Sequence, residues 1–237
     1  MIKALALFVT LGLTQAATPV TAAERPTVVV ELFTSEGCSS CPPADALLAQ
    51  LATRPDMLAL SFHVDYWDRL GWKDPFSSAA ATARQQHYAE LLGIGTVYTP
   101  QIVVAGHWQA VGSDRGEVEQ ALAAAATGTP PTVPVTLAVE RGHALVTLAS
   151  DGASAKGSIL LVAFDRRRVD AVERGENEGR TLTHADVVRG FTVIGRSDGA
   201  THTIEAAVPW PADRLAAILQ ADDGRILGAA VADLTPH

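Results

Sequence analysis

The apolar positions change their spacing part-way along the chain. Val28-Val29-Val30-Glu31-Leu32-Phe33 is a short, β-branched run of the kind that forms a strand buried on both faces. From about Cys41 to Thr53 the spacing becomes helical, with Leu47, Leu48 and Leu51 on one face. Met57 to Val64 predicts a second strand. Asp74-Pro75 reads as an N-cap with proline at the first helical position, opening a helix that runs to about Leu92 before Gly93. Gln101 to Ala105 and His107 to Val111 predict a hairpin turning near Gly106. Asp114 with Glu117 resembles a capping box for a last helix ending near Ala126. The expected order is β-α-β-α-β-β-α.

Thr127 to Pro134 is rich in proline and threonine, and beyond it the period becomes two. Val133, Val135, Leu137 and Val139 alternate with smaller or polar residues, and Arg141-Gly142 suits a turn into His143 to Ala149. Strands are expected at Ile159 to Phe164, Val187 to Ile194 and Thr201 to Val208. Arg214 to Ala221 and Ile226 to Ala232 flank Asp223-Gly224, a strong hairpin signal, although Leu215 to Leu219 also suits a helical turn. Arg166-Arg167-Arg168 reads as a solvated turn. The chain thus divides into an α/β domain over 24–127, a proline-rich linker over 128–134 and a β-rich, sandwich-like domain over 135–237.

Residues 1–23 read as a signal peptide: Lys3, then the apolar Ala4 to Leu13, then small residues at Thr21-Ala22-Ala23 before Glu24. The segment is too short and too interrupted to span a bilayer. The expected product is therefore exported, periplasmic or secreted, without stable membrane insertion. The net charge of −8 argues against nucleic acid or anionic lipid as a partner, since both select a basic footprint.

Both cysteines of the chain lie in Cys38-Ser39-Ser40-Cys41. Two cysteines do not make a disulfide scaffold, and a bridge across so small a loop stabilises by only about 2 kcal/mol. Redox chemistry is the better reason for the pair. A helix N-terminus favours a thiolate, so Cys38, expected to be the more exposed, is the attacking sulfur and Cys41 the resolving one. A structural zinc would need a second pair of ligands at metal spacing, which the sequence lacks.

With this element order and the motif in this place, the first domain resembles the thioredoxin fold. That resemblance implies a cis-proline facing the Cys-x-x-Cys turn, which falls on Pro100, with the preceding Thr99 at the substrate-binding edge. More narrowly, Glu31 to Asp45, His63 to Phe76 and Tyr98 to Gln101, with Gly175 to His184 in the second half, resemble an exported, uncharacterised branch of the thioredoxin-like superfamily, a family of unknown function. Departures from thioredoxin are Gly37 in place of its tryptophan and two serines in place of Gly-Pro. Its buried aspartate would fall on Leu32, one residue from Glu31, the candidate proton-handling carboxylate.

The segment after the second strand leaves the carboxyl edge of the sheet, where α/β sites gather. There Asp65, Tyr66 and Trp67 are candidates for a substrate lip, or for core caps. His63 and His87 read as structural. The expected function is thiol–disulfide exchange with protein or small-molecule thiols and disulfides, through the Cys38–Cys41 pair and without organic cofactor or metal. Such a protein also needs an electron-donating or electron-accepting redox partner. Two other functions suit the sequence: Cu(I) handling by the two thiolates with His63, since soft thiolates suit that ion, and a binding module that has lost catalysis.

Overall fold

The computed structural model describes residues 26–128, 133–149 and 156–234; the signal peptide expected over 1–23 and linker residues 129–132 lie outside the described residues. The first half follows the expected order: β1 (Val28–Thr34), α1 (Pro42–Leu51), β2 (Met57–His63), α2 (Ala79–Leu91), β3 (Gln101–Val104), β4 (Trp108–Val111) and α3 (Arg115–Thr127). Asp114 caps α3 by accepting from the Glu117 N–H at 3.0 Å. The helix expected to open at Asp74 begins instead at Ala79, capped by Ser78. Residues 75–77 turn back on Asp74, whose carbonyl accepts from the Ser77 N–H at 3.1 Å, and Ser78 then bridges the end of β2, its N–H donating to the His63 carbonyl at 3.1 Å.

Seven strands fill the second half: β5 (Val135–Glu140), β6 (His143–Leu148), β7 (Lys156–Ala171), β8 (Thr181–Asp198), β9 (His202–Ala207), β10 (Arg214–Gln220) and β11 (Ile226–Asp233). The three arginines at 166–168 lie within β7 rather than in a turn, where Arg166 pairs with Asp233 and Arg168 with Asp165. Leu215 to Leu219 is strand, not helix.

The domain boundary is where the structure departs most from the expected organisation. Four strands of the second half do not form a sheet of their own; they extend the first. β8 lies parallel to β2, and the order across one eight-stranded mixed sheet is β11-β10-β7-β8-β2-β1-β3-β4. β5, β6 and β9 form a second, three-stranded sheet. It packs on Ile159, Leu161, Leu215, Ala217 and Leu219 of the large sheet, so face-to-face sheet packing is present, but one of its layers belongs to both halves.

The large sheet also curls. On one face α1 and α3 cover Val30, Leu32, Ala59 and Ile102. On the other, Val29, Phe33, Phe62 and Tyr88 share a core with Leu160, Phe164, Ile218 and Val231. The curl brings the β10–β11 turn back to the β3–β4 turn, where the Ile226 N–H donates to the Ala105 carbonyl at 3.0 Å. Gly106, at φ 70°, must be glycine there, since a Cβ would overlap the Gly224 carbonyl. Among the described residues no helix is long and apolar enough to cross a membrane.

Candidate functional site

β1 delivers the chain to the carboxyl edge of the sheet, and the Cys-Ser-Ser-Cys turn follows at once. The Cys38 N–H donates to the Ser35 carbonyl at 3.1 Å and the Cys41 N–H to the Cys38 carbonyl at 3.2 Å, which tightens the turn. Cys41 is the N-cap of α1, and Pro42 and Pro43 fill the first helical positions, where a missing N–H costs nothing. The two cysteines are joined by a disulfide, with Cα atoms 5.4 Å apart. The Thr99–Pro100 bond is cis. A Cβ added at Gly112 would lie 3.1 Å from Ala44 Cβ and 3.3 Å from Pro100 Cβ, so Gly112 lies between Pro100 and the first turn of α1 and close to both.

The exposure expected of Cys38 is not found. Both cysteines are completely buried, while Ser39 and Ser40 face outwards. The cover comes from 140 residues away in the chain, as the loop between β7 and β8. Asn177 Nδ2 donates to the Glu36 carbonyl at 2.8 Å and to the Cys38 carbonyl at 2.9 Å. The Glu176 carboxylate accepts from the Ser39 N–H at 2.9 Å. The loop is braced internally, since the Gly179 N–H donates to the Val172 carbonyl and Arg180 donates to Asn177 Oδ1. Trp72 adjoins Gly175 and donates from Nε1 to Glu36 Oε2 at 2.8 Å. Loops from both halves therefore close over the disulfide.

Beneath it lies a buried polar cluster. On the face of the sheet that α1 covers, His184 of β8 places Nε2 3.2 Å from Glu36 Oε1 and Nδ1 3.7 Å from Asp45 Oδ2. Asp45 also accepts from Thr34 Oγ1 at 2.9 Å. The His63 ring meets that of His184 edge-on, with centroids 4.7 Å apart, and its Nδ1 is 2.6 Å from Asp74 Oδ2. Burial alone would raise the Asp74 pKa, but His63 and the N–H groups of Glu36 and Phe76 outweigh it and hold the carboxyl below its usual range. For His184, burial opposes the charge, yet the facing carboxylates of Asp45 and of Glu36, the latter within hydrogen-bond distance, push its pKa up to about 10.

A raised imidazole pKa has a definite sign for stability. The contribution of His184 is complete below its ordinary pKa of about 6.5 and is lost as pH rises towards about 10. The melting temperature of the oxidised protein should therefore fall between pH 7 and pH 10, and His184→Gln should flatten that fall. One proton changes stability by up to about 1.4 kcal/mol per pH unit. Equal slopes for the two proteins would show that His184 does not carry the charge.

A family model described as "Protein of unknown function (DUF1223)" matches residues 29–221. The chain belongs to this family. The match runs from β1 through β10, so it takes in the Cys-Ser-Ser-Cys turn together with Asn177 and His184 of the covering half. The X-ray crystal structure of protein AGR_C_4864 from Agrobacterium tumefaciens is similar at 30% identity and TM-score 0.72, covering 92% of this chain and 99% of that one. HBP35 of Porphyromonas gingivalis is similar in fold at 16% identity and TM-score 0.56, over 90% of this chain and 77% of that one. No match is found among curated proteins.

Of the residues singled out in this family member's sequence, Cys38, Cys41, Pro100, Thr99 and Trp67 come together. Trp67 lies over Gly37 and donates from Nε1 to Thr99 Oγ1 at 2.8 Å. Asp65 turns to brace α2, accepting from Thr82 Oγ1 at 2.6 Å, whereas the half-buried Tyr66 hydroxyl donates to Gln85 at 3.2 Å and also interacts with Thr99 at the edge of the site. Glu31 is a correction. Strand alternation puts it on the face opposite α1, where it binds Arg84 of α2 at 2.7 Å, with Tyr88 and Gln220 completing the network. It stabilises the curl of the sheet and does not reach Cys41. Glu36, Asp45, Asp74, Asn177 and His184 stand in the site instead. Three of the four stretches quoted for the family contain them all, but nothing local in the sequence marks their roles.

Proposed function

We propose that this protein is an exported thiol–disulfide oxidoreductase of thioredoxin-like architecture, with Cys38 and Cys41 as its redox pair. The observation that carries the reading is the disulfide between the cysteines of a Cys-x-x-Cys turn, set at the N-terminus of α1, whose first turn shares the neighbourhood of Gly112 with Pro100. The helix N-terminus stabilises a thiolate there through unpaired N–H groups and the macrodipole. A protein or small-molecule thiol attacks the oxidised pair, or the Cys38 thiolate attacks a substrate disulfide. Either way a mixed disulfide forms, and Cys41 clears it. A second redox protein would return the pair to its starting state. A disulfide and a leader-like N-terminus fit an oxidising compartment.

Full burial of the pair supports one other reading, a binding module whose disulfide only staples the turn. For the Cu(I) reading, His63 bonds Asp74 through Nδ1 and its Nε2 has no hydrogen-bond partner among the described residues, while both sulfurs are joined in the disulfide. Trapping of mixed disulfides in Cys41→Ser separates exchange from both.

A further inference from the structure

We infer that Asp45 takes the proton of Cys41 in the resolving step, and that His184 is the residue that positions Asp45 for it. This rests on the exchange reading above and names the base that such a reaction requires. In the disulfide form Cys41 is fully buried, so the base at hand for its thiol is a side chain within the fold. α1 carries one ionisable side chain, Asp45, one helical turn after Cys41 and on its face. The Asp45 N–H donates to the Cys41 carbonyl at 3.1 Å, which fixes that register.

The groups facing Asp45 suit the task. Thr34 Oγ1 anchors one carboxylate oxygen at 2.9 Å. The other faces His184 Nδ1 at 3.7 Å, beyond hydrogen-bond distance, and that nitrogen makes no hydrogen bond among the described residues although the side chain is 1% exposed. Asp45 thus has one oxygen fixed and one open to a proton, with a cationic ring beside it. The other titratable groups in the surroundings are Cys38 and Cys41 above, Glu36 and Asp74 from the loops, His63 of β2 and Asp186 further along β8. In the step itself, the Cys41 proton moves to the Asp45 carboxylate. The resulting thiolate attacks the Cys38 sulfur of the mixed disulfide, and the substrate leaves as a thiolate. The pair loses two electrons and the substrate disulfide gains them.

The test is stopped-flow oxidation of the reduced protein by dithiobis(nitrobenzoate), whose two coloured thiolates leave one at a time. The first release reports attack by Cys38 and the second reports resolution by Cys41. Asp45→Asn should slow the second release about tenfold or more at neutral pH and move its pH profile to the alkaline side, leaving the first release unchanged. His184→Gln should shift the same profile less, and Asp45→Glu should restore it at an intermediate rate. An unaltered second release in either Asp45→Asn or His184→Gln overturns the assignment, as does equal slowing of both phases. Should Asp45→Asn fail to fold, His184→Gln alone decides. A wild-type protein that never releases the second thiolate would refute the exchange reading itself, a separate outcome.

Discussion

Cys41→Ser is expected to accumulate as disulfide-linked adducts when it is exported into a compartment where disulfides are forming. Exchange passes through a bond between Cys38 and the substrate, and only Cys41, one turn away, is placed to break it from within. Removing that thiol leaves the attacking sulfur on its helix N-terminus and takes away the internal exit. Most of the variant should then migrate as higher-mass species that collapse on reduction. Cys38→Ser should give none, because it removes the sulfur that carries the attack and leaves only the resolving one. A protein whose disulfide is only a staple would give few adducts in either variant.

The second large effect concerns access. Neither sulfur meets solvent, so the proposed exchange requires the site to open, and the β7–β8 loop bonded to the motif is the element expected to lift. Asn177 fastens that loop with two hydrogen bonds to the motif's backbone, and neutral bonds of this kind contribute about 0.5–1.5 kcal/mol each. Asn177→Ala should shift the opening equilibrium by about 1–3 kcal/mol, so that dithiothreitol reduces the disulfide roughly five- to 150-fold faster. Glu176 is at the surface and its contact with Ser39 is solvent-screened, so Glu176→Gln should change the rate much less. If Asn177→Ala is reduced no faster than wild type, the loop is not what guards the disulfide.

The parts of this molecule that could be read from the sequence are those with local causes. β1 and α1, the turn at Ala105-Gly106, the cap at Asp114 and the hairpin around Asp223-Gly224 each depend on residues within a few positions of one another. The start of α2 was hidden because Asp74, which looks like a cap, is bound to His63 and the Glu36 N–H. The shared sheet was hidden more deeply. Alternating strands say which side chains are inward, but nothing in β8 says that it will lie beside β2, where one registered pair, Ser61 with Val187, makes the join.

The same distance explains the site. The cysteines and Pro100 are recognisable where they stand. Asn177 and His184 act on groups 139 and 148 residues earlier, so their roles exist only in the folded chain. Glu31 misled for the opposite reason. It is one residue from a position that matters in thioredoxin, and in a strand a shift of one residue means the other face of the sheet.

The central claim is that Cys38 and Cys41 cycle between dithiol and disulfide in the folded protein. The most direct measurement is an equilibrium titration of the purified protein against reduced and oxidised glutathione, read by the mass of alkylated species and by circular dichroism. The expected result is one reversible two-electron transition at a defined potential, with the fold retained on both sides and the transition absent in Cys38→Ser. A pair that stays oxidised across the whole range, or that is reduced only as the chain unfolds, would contradict it.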